Sequence, residues 1–307
     1  MSLDEAVASL KRVKANLKRY KAAVLKAAVE GKLTEEWRKQ NPDIEPASKL
    51  LERILAERRT KWEETELAKM KAKGKEPKND KWKEKYKEPT ASSATTDNSV
   101  PDNWVLATVE QLAAVGTGAT PLKSNNAYYD DGDIPWVTSG ALNDDFVEES
   151  EDFVTQLALE ETNVKPFPVG SLLVAMYGEG KTRGKVSELR IEATTNQACA
   201  ALIFVGLANH LKSYVKLFFQ KNYDDIRRLS SGGVQPNLNL GLIKATILPL
   251  PPLAEQVKIY EEVEQKISVI MELESQLSVD IARANRVRQS VLVEAFNGGL
   301  LRIEGLN

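Results

Sequence analysis

The sequence predicts an α+β protein: one mixed α/β domain flanked by long helices that pack as an antiparallel coiled coil. Three observations carry this. First, one phrase occurs near each end. Residues 24–33 read Val-Leu-Lys-Ala-Ala-Val-Glu-Gly-Lys-Leu, and residues 291–300 read Val-Leu-Val-Glu-Ala-Phe-Asn-Gly-Gly-Leu. Val24 matches Val291, Leu25 matches Leu292, Ala28 matches Ala295, Gly31 matches Gly298 and Leu33 matches Leu300; upstream, Leu10 matches Leu277 and Arg19 matches Arg286. Second, both copies end an apolar stripe at helical spacing and stop at a glycine suited to a left-handed cap. Third, residues 104–250 between them change character, to short apolar runs broken by glycines.

The elements follow in order. Leu3, Val7, Leu10, Val13, Leu17, Tyr20 and Val24 alternate spacings of three and four, which predicts an amphipathic helix over residues 2–30. Gly31, Asn41 and Pro42 break it. Leu50, Leu51, Ile54, Leu55, Trp62 and Leu67 predict a second helix over 46–72, and the Lys-rich, then Ser/Thr-rich stretch 73–100 reads as a linker with a short helix near Trp82 and Tyr86. Strands are predicted at 134–138, 171–177, 198–205 and 245–250, with a helix near 211–220. Pro251-Pro252 then opens a long helix, with Pro252 suited to its first turn. Its stripe runs through Ile259, Val263, Ile267, Ile270, Leu273, Leu277, Ile281, Ala284, Val287, Val291 and Ala295. About 44 residues at about 1.5 Å each make a rod of roughly 65 Å. One apolar stripe of that length needs a partner: the N-terminal helix or a second subunit. This gives four segments: 1–40 an N-terminal helix, 41–100 charged and helical, 101–250 the mixed domain, and 251–307 the C-terminal helix. The coiled-coil contacts are assigned to Leu10, Leu17, Val24, Ile267, Leu277, Ile281 and Val291.

Composition narrows the chemistry. Cys199 is the single cysteine, inside the apolar run 197–205, where it reads as a small buried strand residue. One cysteine makes no internal disulfide and no cysteine-rich zinc site, so a reducing cytoplasmic setting is expected. His210 is the single histidine, which argues against a histidine-based metal site or triad. No membrane-length apolar run is present. Net charge is −2 but unevenly placed: residues 1–90 hold 24 Lys+Arg against 16 acids, and residues 164–235 hold 10 against 5. A basic arm and a locally basic mid-segment in an acidic remainder fit nucleic acid, and equally fit a solvated surface.

Several phrases, in this order, carry a family resemblance: Val24–Leu33; Glu45-Pro-Ala-Ser-Lys-Leu-Leu-Glu-Arg-Ile-Leu-Ala-Glu-Arg58; Lys81-Trp-Lys-Glu-Lys-Tyr-Lys-Glu-Pro89; Pro101-Asp-Asn-Trp104; Gly118-Ala-Thr-Pro121; Tyr128-Tyr-Asp-Asp-Gly-Asp-Ile-Pro-Trp136; Gly232-Gly-Val-Gln-Pro-Asn-Leu-Asn239; and Leu250-Pro-Pro-Leu-Ala-Glu-Gln256. Together they resemble the specificity (S) subunit of type I restriction–modification enzymes. The family's plan implies two target-recognition domains, each followed by a conserved helix, the two helices packed antiparallel as a spacer. This chain has one such domain between two helices, and resembles the C-terminal half of an S subunit, or a half-size one. The resemblance implies a non-catalytic DNA-recognition and scaffold protein of host defence. Its expected partners are double-stranded DNA, methyltransferase (M) subunits and, through the complex, a restriction (R) subunit. Pairing with itself or with another half S subunit is also expected. No cofactor or metal is expected on this chain; AdoMet belongs to the M subunits.

Two motifs pull the other way. Ala175-Met-Tyr-Gly-Glu-Gly-Lys-Thr182 fits a permissive phosphate-loop pattern. A true phosphate loop opens a helix whose N-terminal amides face the phosphates. Here Arg183-Gly184 and a strand-like run follow. The readings left are a plain Gly-rich hairpin and a DNA-facing hairpin, and the resemblance favours the second: Tyr177, Lys181, Thr182, Arg183 and Lys185 offer stacking, phosphate contacts and hydrogen bonds to base edges. Leu250-Pro-Pro-Leu253 lacks the polar residue and the aromatic that an adenine methyltransferase places around Pro-Pro, so it reads as a strand-to-helix joint. In the polar stretch 230–239, Ser231, Gln235 and Asn237 are candidates for base contact, or else satisfy loop backbone. Asn196-Gln197 read as structural; Asp144/Asp145 and Asp224/Asp225 read as solvated turns. A phosphate-loop enzyme and a purely structural dimerisation module stay open as alternatives.

Overall fold

The structure is a computed structural model that describes residues 3–75, 77, 79–92, 100–178, 182–229 and 238–297. It forms two compact units, residues 1–28 with 261–307, and residues 29–260.

In chain order the helices are α1 (Leu3–Val29), α2 (Glu35–Gln40), α3 (Ala47–Ala72), α4 (Val109–Leu112), α5 (Gln156–Glu161), α6 (Lys212–Lys221), α7 (Tyr223–Leu229), α8 (Leu240–Ala245) and α9 (Leu253–Phe296). The strands are β1 (Val105–Thr108), β2 (Ala114–Thr117), β3 (Ile134–Val137), β4 (Phe146–Val147), β5 (Phe153–Val154), β6 (Pro166–Phe167), β7 (Leu172–Ala175), β8 (Val186–Leu189), β9 (Ala193–Thr195), β10 (Cys199–Ile203) and β11 (Ile247–Leu250). Short 3₁₀ helices include Asp80–Lys85 and Gly206–Leu211.

The first unit is a helix pair. Lys14 Nζ donates to Ser278 Oγ at 2.9 Å, and Arg288 pairs with Asp4 at 2.9 Å. As α1 advances by ten residues its partner on α9 retreats by ten, so the helices run antiparallel in constant register, as the repeated phrase predicts. Val24 is buried, and Leu10, Leu17, Ile267, Leu277 and Ile281 are half-buried. Val291 remains 46% exposed, with Val287, Leu292, Val293 and Phe296 also exposed nearby.

The second unit is built on two sheets. One has the order β2-β10-β7-β8-β4, the other β5-β3-β9-β6. Pairing is antiparallel except for β4 with β8 and β3 with β9. Val137, Leu142, Phe167, Leu173, Ala175, Leu189, Cys199 and Ala201 form one core cluster from both sheets. The period-two alternation of a half-exposed strand is missing from β7 because all four residues are buried. Cys199 lies in β10, and burial pushes its thiol up to about 12. Gly118 sits where a Cβ would fall 1.7 Å from the Thr195 carbonyl oxygen, so glycine lets this loop press on β9. The Trp136 indole, in the adjoining cluster with Val154, Ala158 and Val164, satisfies its N–H on the Ala119 carbonyl at 3.1 Å.

Separate antiparallel pairing of β1 with β11 brings the start and end of the domain together. Pro251-Pro252 then turn the chain from β11 into α9, as expected of the joint. The Leu250–Gln256 phrase has a structural use here. Glu255 is fully buried, and its carboxylate accepts from Thr34 Oγ1 at 2.7 Å and Trp104 Nε1 at 2.9 Å, with Arg38 at 3.4 Å. Three hydrogen-bonding or charged partners offset the cost of burying one carboxylate. The three come from α2, from the residue before it and from the 101–104 turn.

The stretch expected as a linker carries ordered structure. Gly74, at φ +65°, ends α3 in a left-handed cap, with Lys75 N bonded to the Met70 carbonyl at 2.9 Å. The chain then turns back. The 3₁₀ helix 80–85 stacks Trp82 on Trp62 at 6.0 Å, and Tyr86 follows at 5.3 Å from Trp62. The middle of α3 is held to the domain by polar side chains. Arg58 donates to the carbonyls of Glu110 and Ala113, and Glu57 accepts from Leu207 N at 2.8 Å.

Candidate nucleic-acid interface

The β7–β8 hairpin spans residues 176–185, and two of its glycines are left-handed: Gly178 at φ +143° and Gly184 at φ +87°. The hairpin closes when Gly184 N donates to Ala175 O at 2.8 Å. Among the described residues β8 follows directly and no helix opens, whereas a phosphate loop leads into a helix whose amides face the phosphates.

Four of the sequence-predicted residues are described on this hairpin. Tyr177 is exposed at its tip side, Thr182 and Arg183 are half-buried, and Lys185 Nζ donates to Asn143 Oδ1 at 2.8 Å. Lys181, Ser231, Gln235 and Asn237 lie outside the described residues. Leu238 is described and buried, and donates its N–H to the Met176 carbonyl at 3.2 Å, next to Tyr177 in the chain.

The fold adds residues that sequence patterns did not single out. Arg227 of α7 reaches the Arg183 carbonyl at 3.3 Å and the Tyr223 hydroxyl at 2.7 Å, and its side chain packs on Gly184. Asn143 contributes from the loop before β4, its Nδ2 donating to Gly140 O at 2.7 Å. Arg190 and Lys216 lie 4.1 and 3.9 Å from the Phe146 ring. No local motif links these positions; β8 and α6 bring them together across the sheet edge. Asp224 and Asp225 correct an expectation. They occupy the first turn of α7, where negative charge complements the helix dipole, and are not a turn. Asp144 and Asp145 are exposed as expected, though their backbone carbonyls accept from Ser187 Oγ and Lys216 Nζ.

Charge divides this region. A cleft of about 730 Å³ is lined by Asp144, Asp145, Glu148, Glu149, Glu151 and Asp152 among others. Its acids repel phosphate, while the hairpin with α7 presents Arg, Lys and Tyr. Hydrogen bonds hold Lys185 and Arg227 in place, which suits directional contact with base edges or phosphate oxygens. No group of three or more His, Cys, Asp or Glu among the described residues is arranged to hold a metal ion. No helix among them is long and apolar enough to cross a membrane.

The described residues thus form a two-sheet domain with a basic hairpin edge and, as a separate unit, an antiparallel helix pair. A family model described as the type I restriction modification DNA specificity domain matches residues 101–283, and the chain belongs to that family. It is 26% identical over 305 residues to the type I restriction enzyme EcoDI specificity subunit of Escherichia coli, covering 97% of this chain and 57% of that protein. It is 24% identical over 220 residues to the MjaIX specificity subunit of Methanocaldococcus jannaschii, covering 70% of this chain and 48% of that one. The chain thus spans about half the length of the curated relatives it matches. Among solved structures it is similar to a chain from work on complex assembly and conformational transition of the type I R-M system, with a TM-score of 0.51, 18% identity, and 85% and 59% of the two chains covered.

Proposed function

We propose that this chain is a DNA sequence-recognition and scaffold component of a type I restriction–modification system, without catalysis of its own. The observation that carries the reading is the convergence of the β7–β8 hairpin, α7 and Leu238 on one edge of the domain, with Tyr177, Arg183, Lys185 and Arg227 together. The family match supports it. The edge reads one half of a bipartite target, and the helix pair docks M subunits that bring AdoMet; the R subunit joins through that complex. Apolar residues left exposed on α9, from Val287 to Phe296, support docking of further helices there, from M subunits or from a second half subunit.

One recognition domain specifies one half-site. Pairing of two copies about a two-fold axis gives an inverted-repeat target with a fixed gap. The test is to assemble the chain with M subunits as the only specificity polypeptide and to map methylated adenines by single-molecule sequencing. An interrupted palindrome is expected. A non-palindromic bipartite site would sink the symmetric arrangement, and absence of sequence-selective methylation would sink the recognition reading itself.

A further inference from the structure

We propose that the lysine-rich end of α3 and the segment that returns from it form a second DNA-binding surface, directed at the phosphate backbone and independent of sequence. The proposal rests on the DNA-recognition reading above. Residues 69–87 hold nine lysines against three acids, a net +6 in a chain whose total is −2.

Pairing separates these lysines from the rest of α3. Up to Lys69 the helix is laced with ion pairs: Arg53 with Glu45, Lys49 with Glu52, Arg59 with Glu63, Lys61 with Glu57 and Lys69 with Glu66. Beyond it, Lys83 pairs with Glu63 and Asp80. Lys71, Lys73, Lys75, Lys81, Lys85 and Lys87 are exposed, and among the described residues none has an ion pair. The helix dipole accounts for Lys69 and Lys71 in the last turn of α3. Its effect falls off within that turn, so it does not explain the lysines carried past Gly74.

The scaffold beneath them is ordered. The stack of Trp62, Trp82 and Tyr86 folds the return segment onto α3, and Glu57 and Arg58 tie α3 to the recognition domain. The same stack decides what kind of partner the surface fits. The aromatics are spent inside it, and no large apolar side chain of the described residues between Tyr20 and Leu122 is exposed. Protein interfaces are depleted in lysine and anchored by aromatics and arginine. A surface of unpaired ammonium groups without an apolar anchor fits phosphates, which lysine meets as a mobile point charge.

The experiment uses the full chain assembled with M subunits. Lys71, Lys73, Lys75, Lys81, Lys85 and Lys87 are changed together to Gln in one variant and to Arg in another. Binding to a duplex lacking the target is followed by fluorescence anisotropy over a salt series. For the Gln variant we expect at least a tenfold loss of affinity at low salt. The slope of log affinity against log salt should flatten by about 0.9 for each phosphate that is no longer neutralised. The Arg variant should bind as wild type, and both variants should methylate the same adenines as wild type. Unchanged affinity and slope in the Gln variant would overturn the proposal and leave the recognition reading intact. Loss of M-subunit association in the Gln variant would also overturn it, by marking the surface as one that binds protein. Failure of the wild-type assembly to select any sequence would remove the recognition reading and this proposal together.

Discussion

The hairpin edge and the α3 extension both carry positive charge, but they hold it differently. At the hairpin, Lys185 is bonded to Asn143 and Arg227 to the Arg183 carbonyl and Tyr223, beside the exposed ring of Tyr177. Along α3 and its return, six exposed lysines have no ion pair among the described residues, beside a stack of buried Trp82 with half-buried Trp62 and Tyr86. Reading a base requires a donor fixed in direction; neutralising a phosphate requires only charge within reach. On the proposed reading, the first region supplies specificity and the second affinity.

The largest effect is expected where both regions share a support. Glu255 gathers Thr34, Arg38 and Trp104 at the base of the domain, and α3 starts next to it, with Ala47 N bonded to the Asn103 carbonyl at 2.9 Å. Glu255→Ala leaves the Arg38 charge and two buried donors unpaired, at a cost of roughly 3–5 kcal/mol. Urea denaturation should show that loss, and specific and non-target DNA binding should fall together. If the variant lost one binding mode and kept the other, the two regions would not share this support.

Trp82→Ala should separate them. Trp82 is 8% exposed on Trp62, and its truncation costs about 3 kcal/mol in a packed site. Hydrogen exchange should rise over residues 79–90 while β7 and β8 stay protected. Non-target binding should weaken and target choice should persist. Loss of target choice would mean that the extension takes part in reading sequence.

The hairpin supplies the reverse case. Arg183→Ala with Lys185→Ala in the assembled methylase should relax selectivity at one position by roughly 1–3 kcal/mol if these side chains read a base. If they meet phosphates instead, the salt slope should flatten by about one per residue. Methylation mapping and salt titration separate these outcomes. No change in either would move the interface elsewhere in the domain.

These two regions were unequally legible in the sequence. The helix pair could be read because its information is periodic and repeated: matched positions 267 apart and two apolar stripes. The hairpin could be read because glycines and cations sit next to each other along the chain. Arg227 and Asn143 were not legible, because their contacts with Arg183 and Lys185 span 44 and 42 residues and depend on sheet pairing. The stretch 73–100 read as a linker because lysines dominate its composition. The order of its described residues comes from Trp82 and Tyr86 packing on Trp62, 20 or more residues earlier, which no local pattern connects. Glu255 lies within the phrase Leu250–Gln256, but nothing near it in sequence indicates Thr34 or Trp104 as its partners.

The smallest effect expected is a pH dependence of the link between α3 and the domain. The Glu57 carboxylate accepts from Leu207 N at 2.8 Å and pairs with Lys61 at 2.9 Å. Gly206, at φ +60°, admits it: a Cβ there would overlap Glu57 Oε1. The Leu207 hydrogen bond, with Lys61 beside it, holds this carboxyl below its usual value of 4.5. The sign follows from linkage. The folded protein binds this proton less readily than the unfolded chain, so the stabilisation is complete above the unfolded pKa and is lost as pH falls through the folded one. Glu57→Gln should therefore be less stable than wild type at pH 7, and the two should converge as pH falls through the lowered folded pKa. The side chain is part-exposed, so salt will shrink the gap. Urea midpoints of both proteins between pH 3 and 7 test this. Because Glu57 holds the scaffold of the lysines and not the hairpin, the variant should also weaken non-target binding at pH 7 without changing which adenines are methylated. A gap that stayed constant to pH 3 would mean that packing against the 3₁₀ helix 206–211, and not the charge, anchors α3.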